Sequence, residues 1–152
     1  MTIRKALRTD SQTIAEFNAA MALETEHLTL DISRLLLGVE GLFDNSEKGF
    51  YLVAENNNAV VGQMMITYEW SDWRNGVFWW IQSVYVQPEY RAQKIYRRLY
   101  EHTVALAKEQ QNVCGLRLYV EKENERAHHV YEKLGMMLTK YDMYEVDFVL
   151  KR

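Results

Sequence analysis

The sequence predicts one α/β domain built around a mixed sheet. Three observations carry that expectation. Segments of strand character and segments of helical period interleave along the chain, which is the pattern of an α/β protein. The 152 residues amount to about one domain of chain. One proline and seven glycines leave no Pro/Gly-rich stretch to serve as a linker, so residues 1–152 are read as a single domain.

Each element has its own local reason. Ile3–Leu7 reads as a short strand. Thr9, with Gln12 three residues on, resembles a capping box, and a helix starts at Asp10 with Ile14, Phe17 and Met21 on one face. A second helix runs from Asp31 to about Gly38 on Ile32, Leu35 and Leu36. Phe50–Glu55 is a strand, and Asn56–Asn58 a turn, because Asn tolerates left-handed backbone angles. Val60–Trp70 and Val77–Val86 are two strands joined by a hairpin loop, Asp72–Gly76, that ends in Asn-Gly. Pro88 stops the third of these strands. A long helix follows from about Ala92 to Gln111, its face made by Ile95, Leu99, Leu106 and Ala107. Leu116–Val120 is a strand. Asn124 caps a helix that carries Ala127, Val130, Tyr131 and Leu134 at helical spacing and stops at Gly135. Tyr141–Leu150 alternates and reads as a last strand. The order is β-α-α-β-β-β-α-β-α-β.

Composition narrows the function. With 48% hydrophobic and 26% charged residues the chain has the balance of a soluble globular protein. A net charge of -3 argues against a nucleic-acid partner, whose binders carry a basic surface. No stretch approaches the roughly 18 apolar residues of a membrane span, and no apolar run follows Met1–Lys5 to make a signal peptide. The single cysteine, Cys114, cannot form an internal disulfide, so a cytoplasmic location is expected. His102, His128 and His129 lack a Cys or carboxylate at ligand spacing, so no metal is expected.

Charge is unevenly spread. Arg91, Lys94, Arg97 and Arg98 fall within eight residues with no acid between them. Between Arg8 and Arg34 the pattern reverses, with Asp10, Glu16, Glu24, Glu26 and Asp31 facing no Lys or Arg. An enzyme with one anionic and one cationic substrate has this asymmetry, and so does a merely solvated surface. The basic run lies where a buried strand, Val84–Val86, passes through a short loop into a helix. That geometry aims backbone N–H groups and the positive end of a helix dipole at one spot, where a phosphate is bound well.

At these residues the sequence resembles the GNAT superfamily of acetyl-CoA-dependent N-acetyltransferases. Val-x-x-x-Tyr-Arg-x-x-x-Ile-x-x-x-Leu, from Val86 to Leu99, is similar to the family's pyrophosphate-binding segment. Asn124-x-x-Ala127 followed by Tyr131-x-x-x-Gly135-Met136 is similar to its second signature, about 33 residues later with a strand between. Ile3-Arg4-x-Ala6 with Asp10 and Ile14 resembles its first strand and helix, so the likeness spans the chain. The resemblance implies a mixed central sheet with helices on both faces. It implies acetyl-CoA as co-substrate, held by Val84, Tyr85, Val86, Arg91, Ala92, Gln93, Lys94, Ile95, Tyr96, Arg97 and Asn124. The family pattern Arg/Gln-x-x-Gly-x-Gly/Ala reads here Arg91-x-x-Lys94-x-Tyr96. Lys94 puts a Cβ where glycine allows close approach to a phosphate, while its ammonium can itself be a phosphate ligand.

The implied reaction is direct attack of a primary amine on the thioester in a ternary complex. Tyr131 matches the general acid, although its helix face is also a packing face. Asn124 also reads as a plain N-cap. Gln82 stands where relatives place an acidic or water-holding residue, and is counted with Tyr131 as catalytic. A lysine-like amine costs on the order of 4–5 kcal/mol to deprotonate at neutral pH, so a proton route is needed, through water, Glu24 or Glu26. Glu24, Glu26, His27 and Trp80 are expected to bind a small, cationic amine. Trp70, Trp73, Phe78, Trp79 and Trp80 are expected to cluster on the hairpin, where they line the acceptor side, pack, or form a homodimer contact. Lys94 and Tyr96 leave open a second reading, a catalytically weakened acyl-CoA-binding or interaction module. A protein N-acetyltransferase is a third.

Overall fold

Strands β1 (Thr2–Lys5), β2 (Gly49–Asn56), β3 (Ala59–Ser71), β4 (Gly76–Val86) and β5 (Val113–Arg117) lie side by side in chain order in the computed structural model, which describes residues 1–150. The first three pairings are antiparallel and β4–β5 is parallel. Helices α1 (Ser11–Glu26) and α2 (Ile32–Asp44) fall between β1 and β2. Helix α3 (Ile95–Glu109) bridges the parallel strands, as a parallel pair requires. The chain forms two compact units, Met1–Leu118 and the residues from Tyr119 on.

In the first unit the sheet is buried on both faces, which is why Phe50–Ala54 reads as a continuous apolar run. Leu52, Ala54, Met64, Ile66, Trp79 and Ile81 face α3 and enclose its Ile95, Leu99 and Ala107. On the other face Tyr51 and Val53 pack with Ile14 and Ala15 of α1 and Val39 and Leu42 of α2. Helices therefore cover both faces, as the resemblance implies.

Several boundaries differ from the sequence reading, each for a physical reason. Helix α1 begins at Ser11, with Asp10 rather than Thr9 at the N-cap position; the Asp10 carboxylate makes no cap bond to α1 and instead accepts the Leu7 N–H at 2.7 Å and the Arg4 guanidinium at 2.8 Å. Helix α2 runs past Gly38 to Asp44, because burial of Val39 and Leu42 outweighs the roughly 1 kcal/mol that a helical glycine costs. Helix α3 begins at Ile95, not Ala92, because Ala92 and Lys94 have φ of 67° and 60°. Strand β5 is Val113–Arg117, earlier than Leu116–Val120; Val113 pairs with Val77, and Gly115 lies against the Phe78 ring, where a Cβ would stand 2.7 Å from it.

In the second unit α4 (Glu125–Lys133) is capped by the Asn124 side chain, which accepts the Ala127 N–H at 3.1 Å. Gly135, at φ 91°, takes the chain out of the helix. Residues 136–150 contain no helix or strand. The expected strand Tyr141–Leu150 is thus corrected: its alternation is present, but among the described residues it forms no ladder.

Candidate active site

The site is built where β4 leaves the sheet. Strand β4 pairs with β5 only over Val77–Trp80, so among the described residues the β5-side edge of Ile81–Val86 pairs with no strand. Opposite Met64, β4 carries an extra residue: Gln63 pairs with Tyr85 and Met65 with Gln82, and Ser83 takes φ 50°. This bulge bends the strand just before the loop. The Gln87 N–H then returns to the Val61 carbonyl at 2.9 Å, and Pro88–Tyr90 makes one 3₁₀ turn.

Across Arg91–Lys94 the backbone is twice left-handed, at Ala92 and Lys94. Non-glycine residues there cost roughly 1–2 kcal/mol each, and such costs persist at functional sites. Left-handed residues alternating with ordinary ones gather successive N–H groups on one side of the chain, the anion-binding nest. Helix α3 starts immediately after, and its first internal bond runs from Arg98 N–H to the Lys94 carbonyl. The N–H groups of Ile95, Tyr96 and Arg97 precede that bond and face out of the helix end. Buried Ile95 fixes the position of this start. Its Cγ2 lies so close to Gly62 that a Cβ there would stand 3.2 Å away.

The four cations of the run behave differently. Arg97 pairs with Glu101 at 2.9 Å, and Arg98 donates to the Met1 carbonyl at 3.0 Å. Arg91 turns toward α1: its Nε donates to the Val86 carbonyl and its Nη2 to Glu24 Oε2, both at 2.8 Å. The guanidinium thus braces the loop. Among the described residues Lys94 alone of the four forms neither a salt bridge nor a hydrogen bond through its side chain. It supplies charge at the nest. Lys94→Gly should raise Tm by about 2–4 °C as a left-handed side chain is removed, yet weaken binding of an anionic ligand. Lys94→Glu should weaken it further, with a loss that shrinks at high salt. Calorimetric titration at two ionic strengths together with a melting curve checks both halves.

On the α1 side of the sheet, Glu24 accepts from the Tyr85 hydroxyl at 2.9 Å as well as from Arg91. The Arg91 hydrogen bond holds the Glu24 carboxyl below its ordinary range against a smaller effect of burial. Burial, then the bond to Glu24, pushes the Tyr85 hydroxyl up. Glu24 is accordingly a fixed carboxylate and a weak base. Gln82 donates from Nε2 to Thr67 Oγ1 at 2.6 Å, leaving its oxygen as an acceptor. His27 is the left-handed residue that ends α1, at φ 53°, and is exposed, as is Glu26.

The hairpin aromatics do not form one cluster. Neighbouring residues on a strand point to opposite faces, so Trp79 packs against Phe50 in the α3-side core while Trp80 lies on the other face, half-buried. Phe78 is buried with the Arg117 guanidinium 3.7 Å from its ring centre, and Trp70 and Trp73 lie in solvent. The sequence reading missed Gln63. It is fully buried, and its Nε2 donates to Asn18 Oδ1 at 2.8 Å and to the Ser83 carbonyl at 3.0 Å. A glutamine inside the apolar run Val60–Ile66 is the signal that could have found it, since buried amides need partners.

The model of the acetyltransferase (GNAT) family matches residues 14–136. The chain belongs to the GNAT acetyltransferase family. A possible acetyltransferase from Clostridium difficile 630 is similar at 46% identity, with 98% of each chain covered and a TM-score of 0.90. Two more distant structures share the fold. The predicted acetyltransferase with acetyl-CoA from Clostridium acetobutylicum is 20% identical over 97% of this chain and 96% of that one, at a TM-score of 0.78. Glucosamine-6-phosphate N-acetyltransferase from Arabidopsis thaliana is 19% identical over 95% and 97%, at 0.74. No match is found among curated proteins.

GNAT enzymes use acetyl-CoA, and the loop before α3 fits its pyrophosphate. Two left-handed residues, a helix start and Lys94 converge there although neither family glycine is present. In the second unit, Asn124 is the α4 cap and Tyr131 is half-buried on that helix. No residue of α4 is fully buried. Among the described residues no group of three His, Cys, Asp or Glu side chains could hold a metal ion, and no helix is long and apolar enough to cross a membrane.

Proposed function

We propose that this GNAT acetyltransferase transfers the acetyl group of acetyl-CoA to the primary amine of a small cationic acceptor. The observation that carries the reading is the doubly left-handed loop at the start of α3. Strain of that kind, beside a lone lysine, is what a pyrophosphate site needs. Acetyl-CoA supplies the activated acetyl thioester. Ile95, Tyr96 and Arg97 offer N–H groups to its pyrophosphate, with Ala92, Gln93 and Lys94 shaping the nest. The Gln87 N–H is already spent on Val61, so the open β4 edge at Val84–Val86 is the stretch that offers backbone groups to the pantetheine arm.

On the acceptor side, Glu24, Glu26 and His27 close the end of α1, and Gln82 and Trp80 line the sheet. Depressed Glu24 suits binding an ammonium rather than accepting its proton, so the amine is deprotonated through water held by Gln82 and Thr67. Tyr131 hydrogen-bonds the departing thiolate. Full proton transfer from a phenol to a thiolate is uphill by roughly 2 kcal/mol, so a bond that tightens as charge develops is the working description. A membrane, a nucleic acid or a metal has no part in this reading, and a cytoplasmic location agrees with the free Cys114.

A melting curve with acetyl-CoA at 100 times its Kd should show about 2.7 kcal/mol of stabilisation. A thiol-release screen of polyamines, amino acids and amino sugars should then find the acceptor. Stabilisation with no turnover on any amine would favour the binding-module reading. With the best acceptor, Glu24→Gln and Glu26→Gln, singly and together, should raise acceptor KM while leaving kcat within a few-fold. An unchanged KM would remove the acidic acceptor site.

A further inference from the structure

We propose that Gln63 is a positioning residue for acetyl transfer: its buried side-chain amide holds the β4 bulge in the form that both the cofactor arm and the acceptor meet. This inference rests on the acetyl-transfer reading of the site. Every group it uses lies in the first unit.

The bulge decides which side chains of β4 share a face. Successive strand residues alternate, so Gln82 and Tyr85, at an odd spacing, would point to opposite faces of a regular strand. Ile81 lies in the α3-side core, which puts Gln82 on the α1 side. Tyr85 reaches α1 as well: its ring centre is 5.1 Å from that of Phe17, and its hydroxyl donates to Glu24. Both share that face because Ser83 and Val84 together stand opposite Met64. The open edge follows from the same register. Gln63 pairs with Tyr85, and the Gln87 N–H returns to Val61, so alternation turns the backbone groups of Val84 and Val86 outward. A strand without the extra residue would lose either Gln82 from the acceptor face or Val84–Val86 from this register.

Gln63 fastens the bulge. A bulged residue falls out of the ladder, so its backbone groups are held by other means. The Ser83 carbonyl can only accept, which orients Gln63 with Nε2 toward it at 3.0 Å. The other Nε2 hydrogen goes to Asn18 Oδ1 of α1 at 2.8 Å. The amide thereby ties the bulge to the same helix whose Glu24 holds Tyr85 and Arg91. Packing alone does not account for a glutamine here. The side chain is fully buried, and its Oε1 has no hydrogen-bond partner among the described residues. Methionine, of similar length, would avoid that cost. What glutamine adds is the pair of donors, and one of them is spent on Ser83, a left-handed residue at φ 50°.

Calorimetric titration with two probes tests this. ADP supplies the pyrophosphate without the pantetheine arm, and acetyl-CoA supplies both. Wild type should bind acetyl-CoA more tightly than ADP. Gln63→Met, folded by circular dichroism, should weaken acetyl-CoA by about 10-fold, the worth of roughly one hydrogen bond, and leave ADP within about 2-fold. The ADP site is spared because the Arg91–Lys94 loop lies beyond the bulge. Asn18→Ala, at a half-buried position, should weaken acetyl-CoA by about 3-fold with ADP again unchanged, and it is the deciding variant if Gln63→Met does not fold. An acetyl-CoA Kd equal to wild type in the deciding variant overturns the inference alone, and so does an equal loss for both probes, which is the mark of a merely structural residue. Wild type that binds neither probe, or binds both equally, overturns the acetyl-transfer reading of the site and this inference with it.

Discussion

Tyr131→Phe should cut turnover by roughly 10²–10⁴-fold and leave the fold intact. The substitution keeps the ring and deletes only the hydroxyl, so stability should change by about 1 kcal/mol or less. The loss should fall on kcat and leave cofactor KM nearly unchanged, because negative charge on the coenzyme sulfur develops only as the thioester bond breaks. Since no α4 residue is fully buried, even Tyr131→Ala should cost less than the roughly 3–5 kcal/mol of a core aromatic. Stopped-flow thiol release for the Phe variant, with a melting curve on the same sample, separates the two roles. Near-wild-type turnover would assign the proton donor elsewhere.

The converse result is expected at Gly49. It begins β2 at φ 148°, and a Cβ there would sit 1.9 Å from the Ile66 carbonyl oxygen and 2.9 Å from its carbon. Backbone cannot swing aside as a side chain can, and Ile66 lies in the middle of β3 with its own side chain fully buried. Gly49→Ala should therefore pull β2 from β3 and cost on the order of 3–5 kcal/mol, a large part of the stability of an ordinary domain. Urea unfolding should show the loss as a lower midpoint. A midpoint close to wild type would mean that the strand pair is far more compliant than its geometry.

The contrast between these two positions shows where sequence reasoning reaches. Ile14 and Leu99 are legible on the buried faces of their helices from helical spacing, because burial imposes the period. Asn124 was legible as a cap, since its side chain does locally what Asn does before any helix. What was not legible depends on tertiary partners. Gly38 ends a helix in sequence terms but continues one once Val39 and Leu42 have a sheet to cover. Ala92 and Lys94 carry no propensity for left-handed backbone, and their conformations sit between two tertiary anchors, the Arg91 bonds to Val86 and Glu24 and the packing of Ile95 against Gly62.

In the site the same division holds. The basic run marked the helix start correctly, but charge alone does not tell which cation is committed elsewhere. Arg91 faces Glu24, sixty-seven residues away in sequence, and so an expected phosphate ligand and an expected acceptor carboxylate brace one another. The aromatic hairpin was read as one patch because its residues are adjacent in sequence, whereas a strand sends Trp79 and Trp80 to opposite faces. Tyr141–Leu150 alternates like a strand, but alternation alone does not make a ladder.

The central claim is that the loop and first turn of α3 form the pyrophosphate site. A crystal structure of the protein with coenzyme A tests it most directly. The phosphate oxygens should lie within about 3 Å of the N–H groups of Ile95, Tyr96 and Arg97, with the Lys94 ammonium beside them. A pyrophosphate bound anywhere else, or one that displaces Ala92 and Lys94 from their left-handed conformations, would contradict it.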